Sequence, residues 1–130
     1  VSEDRLQVLV LDDEPIVGKR TKPALEKYGL EVEVFVDPAA ALRRLDEKHF
    51  DVVVTDVRMQ QTDGLAVLER VCATGQATKV IIMTGFATMD LAQQALSKGA
   101  FEFLAKPFKA ADLRAAIERA AVSLGRPVPR

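Results

Sequence analysis

The chain is short of the residues that staple small folds together or hold soft metals. Among 130 residues there is one cysteine, Cys72. An internal disulfide is excluded, which fits a reducing cytoplasm. The one histidine, His49, falls at the expected end of a helix and reads as a surface residue. No apolar run approaches the ~18 residues of a transmembrane helix. Residues 1–7 are mostly polar and charged, so no signal-peptide pattern is present. An excess of one charge is missing too: 18 Lys and Arg face 19 Asp and Glu, a net charge of −1. That argues against a nucleic-acid-binding surface spread over the whole domain. Internal repeats are absent. A first residue of Val rather than Met raises the expectation of a chain processed or excised from something longer.

What remains is the composition of an ordinary soluble globular protein, 48% hydrophobic and 28% charged. The length suits one domain with a real core. We expect that domain over residues 1–125. Residues 126–130 (Arg-Pro-Val-Pro-Arg) read as a linker or C-terminal tail.

The chain is organised around residues 50–59, Phe-Asp-Val-Val-Val-Thr-Asp-Val-Arg-Met. A continuous run of β-branched apolar residues without alternation predicts a strand buried on both faces, as in a parallel sheet covered by helices. The run stops on Asp56. Similar runs occupy residues 6–11, ending on Asp12-Asp13-Glu14, and residues 79–84, ending on Thr84. Residues 31–36 give a short strand expected at a sheet edge. Residues 101–105 give another, ending on Lys106-Pro107.

Helical spacing lies between these runs. The first helix opens on Pro15 with Val17, Thr21, Ala24, Leu25 and Tyr28 as its stripe. Gly29 is its stop, and a kink or early break is expected at Pro23. Asp37-Pro38 caps a second helix with Ala41, Leu42 and Leu45 inward. Asp63-Gly64 opens a third with Leu65, Leu68, Val71 and Cys72 inward and Gly75 as its stop, so Cys72 reads as a small core residue. Met89, Leu91, Ala92, Ala95 and Leu96 mark a fourth, stopped by Gly99. Leu113, Ala116, Ile117, Ala120 and Leu124 mark a fifth, stopped by Gly125. The order is (βα) five times. It implies an α/β doubly wound parallel sheet with helices on both faces.

In such a sheet the C-terminal strand ends share one edge and line the ligand crevice. The side chains of Asp12, Asp13, Asp56, Thr84 and Lys106 can therefore converge there. Carboxylates crowded together repel unless compensated, and a hard divalent cation such as Mg²⁺ compensates them. Lys106 and the Thr84 hydroxyl suit an anionic oxygen ligand. A phosphoryl group fits, with Asp56 as nucleophile forming an aspartyl phosphate. Acid pairs are common on surfaces and Lys106 alone could be a solvated lysine. Five residues of the right types at four strand ends argue against coincidence.

At this point the sequence resembles the receiver domain of response regulators in two-component signal transduction systems, over residues 6–124. The carriers are Val-Leu-Val-Leu-Asp12-Asp13-Glu14, Thr55-Asp56-Val57-Arg58-Met59, Asp63-Gly64-Leu65, Met83-Thr84-Gly85 and the segment from Gly99 to Phe108, which includes Lys106-Pro107. The resemblance implies a flavodoxin-like fold with strand order 2-1-3-4-5. It makes Asp56 the phosphoacceptor of this phosphoprotein. Asp12, Asp13, Asp56 and the backbone carbonyl of Arg58 would bind Mg²⁺, with Mn²⁺ as a substitute. Thr84 and Lys106 would contact the phosphoryl group, and Thr84 with Phe103 would form the switch. The implied donor is a histidine kinase or a phosphotransfer domain, and the implied location is cytoplasmic. The resemblance is strongest to regulators that continue into an output domain, which would lie outside these residues. One departure is Gln60, where the family usually has Pro; it frees that loop.

The expected role is thus a phosphorylation-activated signalling module rather than an enzyme, with at most slow self-catalysed phosphorylation and dephosphorylation. Neither direct nucleic-acid binding nor a membrane is expected. The alternative is a Mg²⁺-dependent phosphohydrolase working through an aspartyl phosphate. Proteins resembling the haloacid dehalogenase family carry a second acid two residues after the nucleophile; here that residue is Arg58. A third reading, an inactive receiver-like binding module, requires loss of one of the five site residues, and none is lost. Two structural expectations follow. The Lys106-Pro107 bond is expected to be cis, aiming Lys106 into the crevice. Phe103 is expected to face the fourth helix and turn inward on phosphorylation, reshaping a partner or homodimer face of helix four, strand five and helix five.

Overall fold

The computed structural model describes residues 5–57, 64–74, 77–85 and 89–126. The apolar runs form strands β1 (Gln7–Leu11), β2 (Glu31–Phe35), β3 (Val52–Asp56), β4 (Lys79–Thr84) and β5 (Glu102–Ala105). Between and after them lie α1 (Pro15–Glu26), α2 (Pro38–Glu47), α3 (Gly64–Ala73), α4 (Met89–Ser97) and α5 (Ala110–Ser123). The strands pair in parallel in the order β2-β1-β3-β4-β5, with β2 at one edge as expected.

Successive side chains of a strand point to opposite faces, and here both faces are covered. Val8, Val10, Val52, Val54, Ile81 and Met83 pack with Leu25 of α1 and with Leu113, Ala116 and Ile117 of α5. Leu9, Leu11, Val53 and Ile82 pack on the other side with Ala41, Leu65, Leu68, Val71 and Ala95 from α2, α3 and α4. Each strand must therefore be apolar at odd and even positions alike, which is why the runs show no alternation. Phe50, 1% exposed, closes the second layer. Truncating such a residue to Ala costs roughly 3–5 kcal/mol.

Caps follow the sequence signals. The Asp37 carboxylate accepts from the Ala39 N–H at 3.2 Å, and Pro38 takes the first helical position. Pro15 opens α1 in the same way.

Several expectations are corrected. Cys72 is exposed, not a core residue. Leu65, Val67, Leu68 and Val71 fill the inward face of α3, so Cys72 falls on its flank and its thiol reaches the Lys98 carbonyl at 3.7 Å. Leu96 is exposed while Ala95 is buried, so the inward stripe of α4 passes through Ala95. Tyr28 is not part of the buried stripe of α1; its ring lies 4.0 Å from the Arg114 guanidinium of α5. Gly18 takes a place in that stripe instead. A Cβ added there would stand 3.1 Å from Val34 Cβ, so the absence of a side chain at position 18 lets α1 lie close against β2. Pro23 does not break α1 early. The helix runs on to Glu26, held by the fully buried Leu25. The expectations for Asp63, Gly75 and Gln60 fall outside the described residues, as do the side chains of Met89, Leu91 and Ala92.

Candidate functional site

The register delivers the polar residues to one edge. Leu11 stands opposite Thr55, Asp56 opposite Met83 and Thr84 opposite Ala105. Asp12 follows β1 directly, Asp56 and Thr84 end their strands, and Lys106 follows β5. The Lys106 N–H continues the ladder by donating to the Thr84 carbonyl at 2.8 Å. The Lys106-Pro107 bond is cis, as expected. The Asp12 carboxylate is fixed by its own turn: Oδ1 accepts from the Glu14 N–H at 2.9 Å.

These side chains meet. Lys106 Nζ lies 2.6 Å from Asp12 Oδ2 and 2.7 Å from Asp56 Oδ2. Glu14 Oε1 is 3.5 Å from the same ammonium. Asp12, Asp56 and Thr84 are buried at 2%, 5% and 0% exposure, so the charges interact with little water between them. Burial raises the Asp12 pKa above the ordinary 3.8, helped by the Asp56 charge and opposed by Lys106 and the Glu14 N–H. Burial also pulls on Lys106 in the neutral direction. Its hydrogen bonds and charge contacts with Asp12 and Asp56 outweigh this and raise its pKa. Lys106 is therefore the fixed cation of the site at neutral pH.

Carboxylate oxygens of Asp12, Glu14 and Asp56 all lie within 4.8 Å of one another. Such clustered hard oxygens suit Mg²⁺, Mn²⁺ or Ca²⁺ rather than a soft metal. Asp13 is half-buried and stands outside that group. The sequence showed three consecutive acids at this strand end, but gave Glu14 no role. Its inclusion depends on how the chain turns into α1. The backbone carbonyl of Arg58 lies outside the described residues. Phe103 is half-buried and packs on the layer that contains Ala95 of α4, the side expected for it. His49 is exposed and belongs to the other edge of the sheet, 3.8 Å from Asp51. A cleft of about 710 Å³ opens beside the acids, lined by Glu14, Arg20, Lys106, Phe108 and Leu113 among others.

The site thus pairs two buried acids with Lys106, and the buried Thr84 ends the neighbouring strand β4. Similarity to known proteins places the chain in a family. The family model for the response regulator receiver domain matches residues 8–118. The transcriptional regulatory protein ZraR of Escherichia coli K12 is 33% identical over 120 residues, which is 92% of this chain and 27% of that protein. The DNA-binding transcriptional regulator NtrC of the same strain is 37% identical over 113 residues, 87% of this chain and 24% of that protein. The chain thus spans about a quarter of the length of these curated relatives. Among solved structures, a CheY-like receiver domain protein from Methanospirillum hungatei superposes with a TM-score of 0.88 at 25% identity, covering 93% of this chain and 97% of that one. The beryllofluoride-activated NtrC4 receiver domain dimer gives 0.86 at 31% identity, with 93% and 98% covered.

Proposed function

The chain belongs to the response regulator receiver domain family and serves phosphorylation-dependent signalling; from that premise we propose that Asp56 is its phosphoacceptor. The observation that carries this reading is the convergence of Asp12, Asp56 and Lys106 within hydrogen-bonding reach at the buried strand ends. The signalling reading has family support, and the phosphohydrolase alternative has none.

In the proposed reaction a carboxylate oxygen of Asp56 attacks phosphorus while the P–N bond of a donor phosphohistidine breaks, and the leaving imidazole takes a proton. Lys106 neutralises charge on the transferred group, and the Thr84 hydroxyl donates to one of its oxygens. Asp12, Asp13, Asp56 and the Arg58 carbonyl would hold Mg²⁺, with Glu14 joining Asp12 and Asp56 in the oxygen cluster. When bound, the ion supplies charge neutralisation for the transferred group. Lys106 must then share its two acids with the metal. On this reading the donor is a histidine kinase or phosphotransfer domain, the location is cytoplasmic, and self-catalysed phosphorylation and dephosphorylation are at most slow. The domain covers residues 1–125, with 126–130 as the outgoing tail.

Readout runs through Thr84 and Phe103. Rotation of the Thr84 hydroxyl toward the phosphoryl oxygens vacates space beside β5, and the half-buried Phe103 ring moves in. A Phe brings no hydroxyl that would need a partner once buried. The face of α4, β5 and α5 then changes shape for a partner or a second copy. On it Arg119 of α5 holds Glu102 of β5 at 2.9 Å.

The test is mass spectrometry after incubation with a small phosphodonor. Wild type should gain one phosphoryl group only with Mg²⁺ or Mn²⁺ present, and Asp56→Asn none. Equal labelling of the two proteins would overturn the assignment. Fluorine NMR of labelled Phe103 with and without beryllium fluoride tests the switch; an unchanged ring environment removes it.

A further inference from the structure

The opposite edge of the sheet holds a second buried acid that the phosphoryl site does not use. Asp51, 3% exposed, immediately precedes β3. Its Oδ2 accepts from the Gln7 N–H of β1 at 2.8 Å. Its Oδ1 lies 2.6 Å from Nη1 of Arg126. The other Arg126 nitrogen, Nη2, donates to the Arg5 carbonyl at 3.3 Å. Arg126 is thus tied both to the acid at the head of β3 and to the backbone just before β1.

The backbone arrangement that brings Arg126 there is specific. After α5 the Gly125 N–H donates to the Val122 carbonyl at 3.0 Å, and the Arg126 N–H donates to the Ala121 carbonyl at 2.8 Å. With Gly125 at φ +74° this is the paired hydrogen-bond reversal that ends helices. It turns the chain off the α5 axis. Pro127 follows in sequence and disfavours a helical Arg126. A buried carboxylate is costly unless a cation and hydrogen bonds satisfy it. Among the described residues the full-time cation paired with it is Arg126 of the outgoing tail. His49 Nε2, 3.8 Å from Oδ1, is charged only when protonated.

We propose that Arg126 is a latch and Asp51 its receptor, so that the chain leaving the domain is pinned to the sheet edge opposite Asp56 and α5 does not propagate beyond Gly125. Any segment joined to residue 130 is then placed by an ion pair to the rigid sheet rather than by an extended helix. The proposal does not depend on the identity of the phosphoacceptor.

The test uses the 130-residue chain. In wild type, NMR hydrogen exchange should find the amides of Gly125 and Arg126 protected. A spin label on Pro129→Cys, in a Cys72→Ser background, should broaden the amides of Gln7 and Asp51. Arg126→Gln should lower protection at Gly125 and Arg126 about tenfold and relieve the broadening, while the amides of Leu9, Val53 and Ile81 stay unchanged. In an Asp51→Asn background the same substitution should have little further effect. If Asp51→Asn does not fold, the Arg126→Gln comparison decides alone. Unchanged protection and broadening in Arg126→Gln would overturn the latch and leave the helix reversal as the sole constraint on the tail.

Discussion

The two ends of β3 carry two buried acids with opposite arrangements. At the head of the strand Asp51 is matched by one cation: one oxygen takes a backbone N–H, the other the Arg126 guanidinium, which also donates to the Arg5 carbonyl. At the tail, Lys106 bridges Asp56 and Asp12, and Glu14 stands nearby. The first arrangement sets one carboxylate against one guanidinium. Among the described residues the second sets three carboxylates around one ammonium, an excess of negative charge that suits a metal cation. Both acids lie at ends of one apolar strand, so burial alone does not mark a functional site; the imbalance of charge around the buried group does.

That contrast is tested most severely by removing the shared cation. In Lys106→Met two buried acids lose their counterion, and stability without divalent ions should fall by about 3 kcal/mol. Saturating MgCl₂ should restore much of the loss, because a cation that binds only the folded state stabilises it by mass action. Urea denaturation with and without MgCl₂ reads both effects. Absence of any magnesium-dependent recovery would break the claim that the C-terminal edge has spare acid.

Asp51→Ala gives the complementary result. It leaves the Gln7 N–H and the Arg126 guanidinium without their carboxylate, and stability should drop by roughly 2 kcal/mol. Magnesium should recover none of it. Phosphoryl uptake per folded molecule, followed by mass spectrometry, should match wild type. A variant that folds but no longer takes up phosphate would mean that the two ends of β3 are coupled.

The smallest effect has the opposite sign. Folded Asp12 keeps its proton to higher pH than the ordinary 3.8, mainly because it is buried. Between that value and its raised folded value the native state binds more protons than the unfolded chain. This contribution is therefore present at low pH and is lost as pH rises through the window. Asp12→Asn removes the slope and should be more stable than wild type at neutral pH by about 1 kcal/mol, while binding Mg²⁺ at least tenfold more weakly. Urea midpoints across pH 3 to 7, with a magnesium titration, check both halves. A less stable Asp12→Asn would show that the ion pair to Lys106 outweighs the burial cost.

Much of this protein was written in its sequence. Five apolar runs, each broken by turn or helix signals, determined the alternating order of strands and helices. The lack of alternation within the central runs determined that both sheet faces are covered, because a strand with one wet face would have kept every second residue polar. The polar stops at Asp12, Asp56, Thr84 and Lys106 then followed, since parallel strands present like ends to one edge. Tertiary structure alone decided how those groups are apportioned. Nothing local tells that Lys106 bridges Asp12 and Asp56, which are 94 and 50 positions away in the chain. Nor does it tell that Glu14 rather than Asp13 completes the oxygen cluster, or that Cys72 lies just off the buried stripe of α3. The Arg126–Asp51 pair, 75 positions apart, was equally invisible, because Arg126 sits in a segment whose composition reads as tail. Periodicity encodes which face of an element is buried. Which long side chain reaches which distant charge depends on register and on the turns between elements, and those exist only once the sheet has closed.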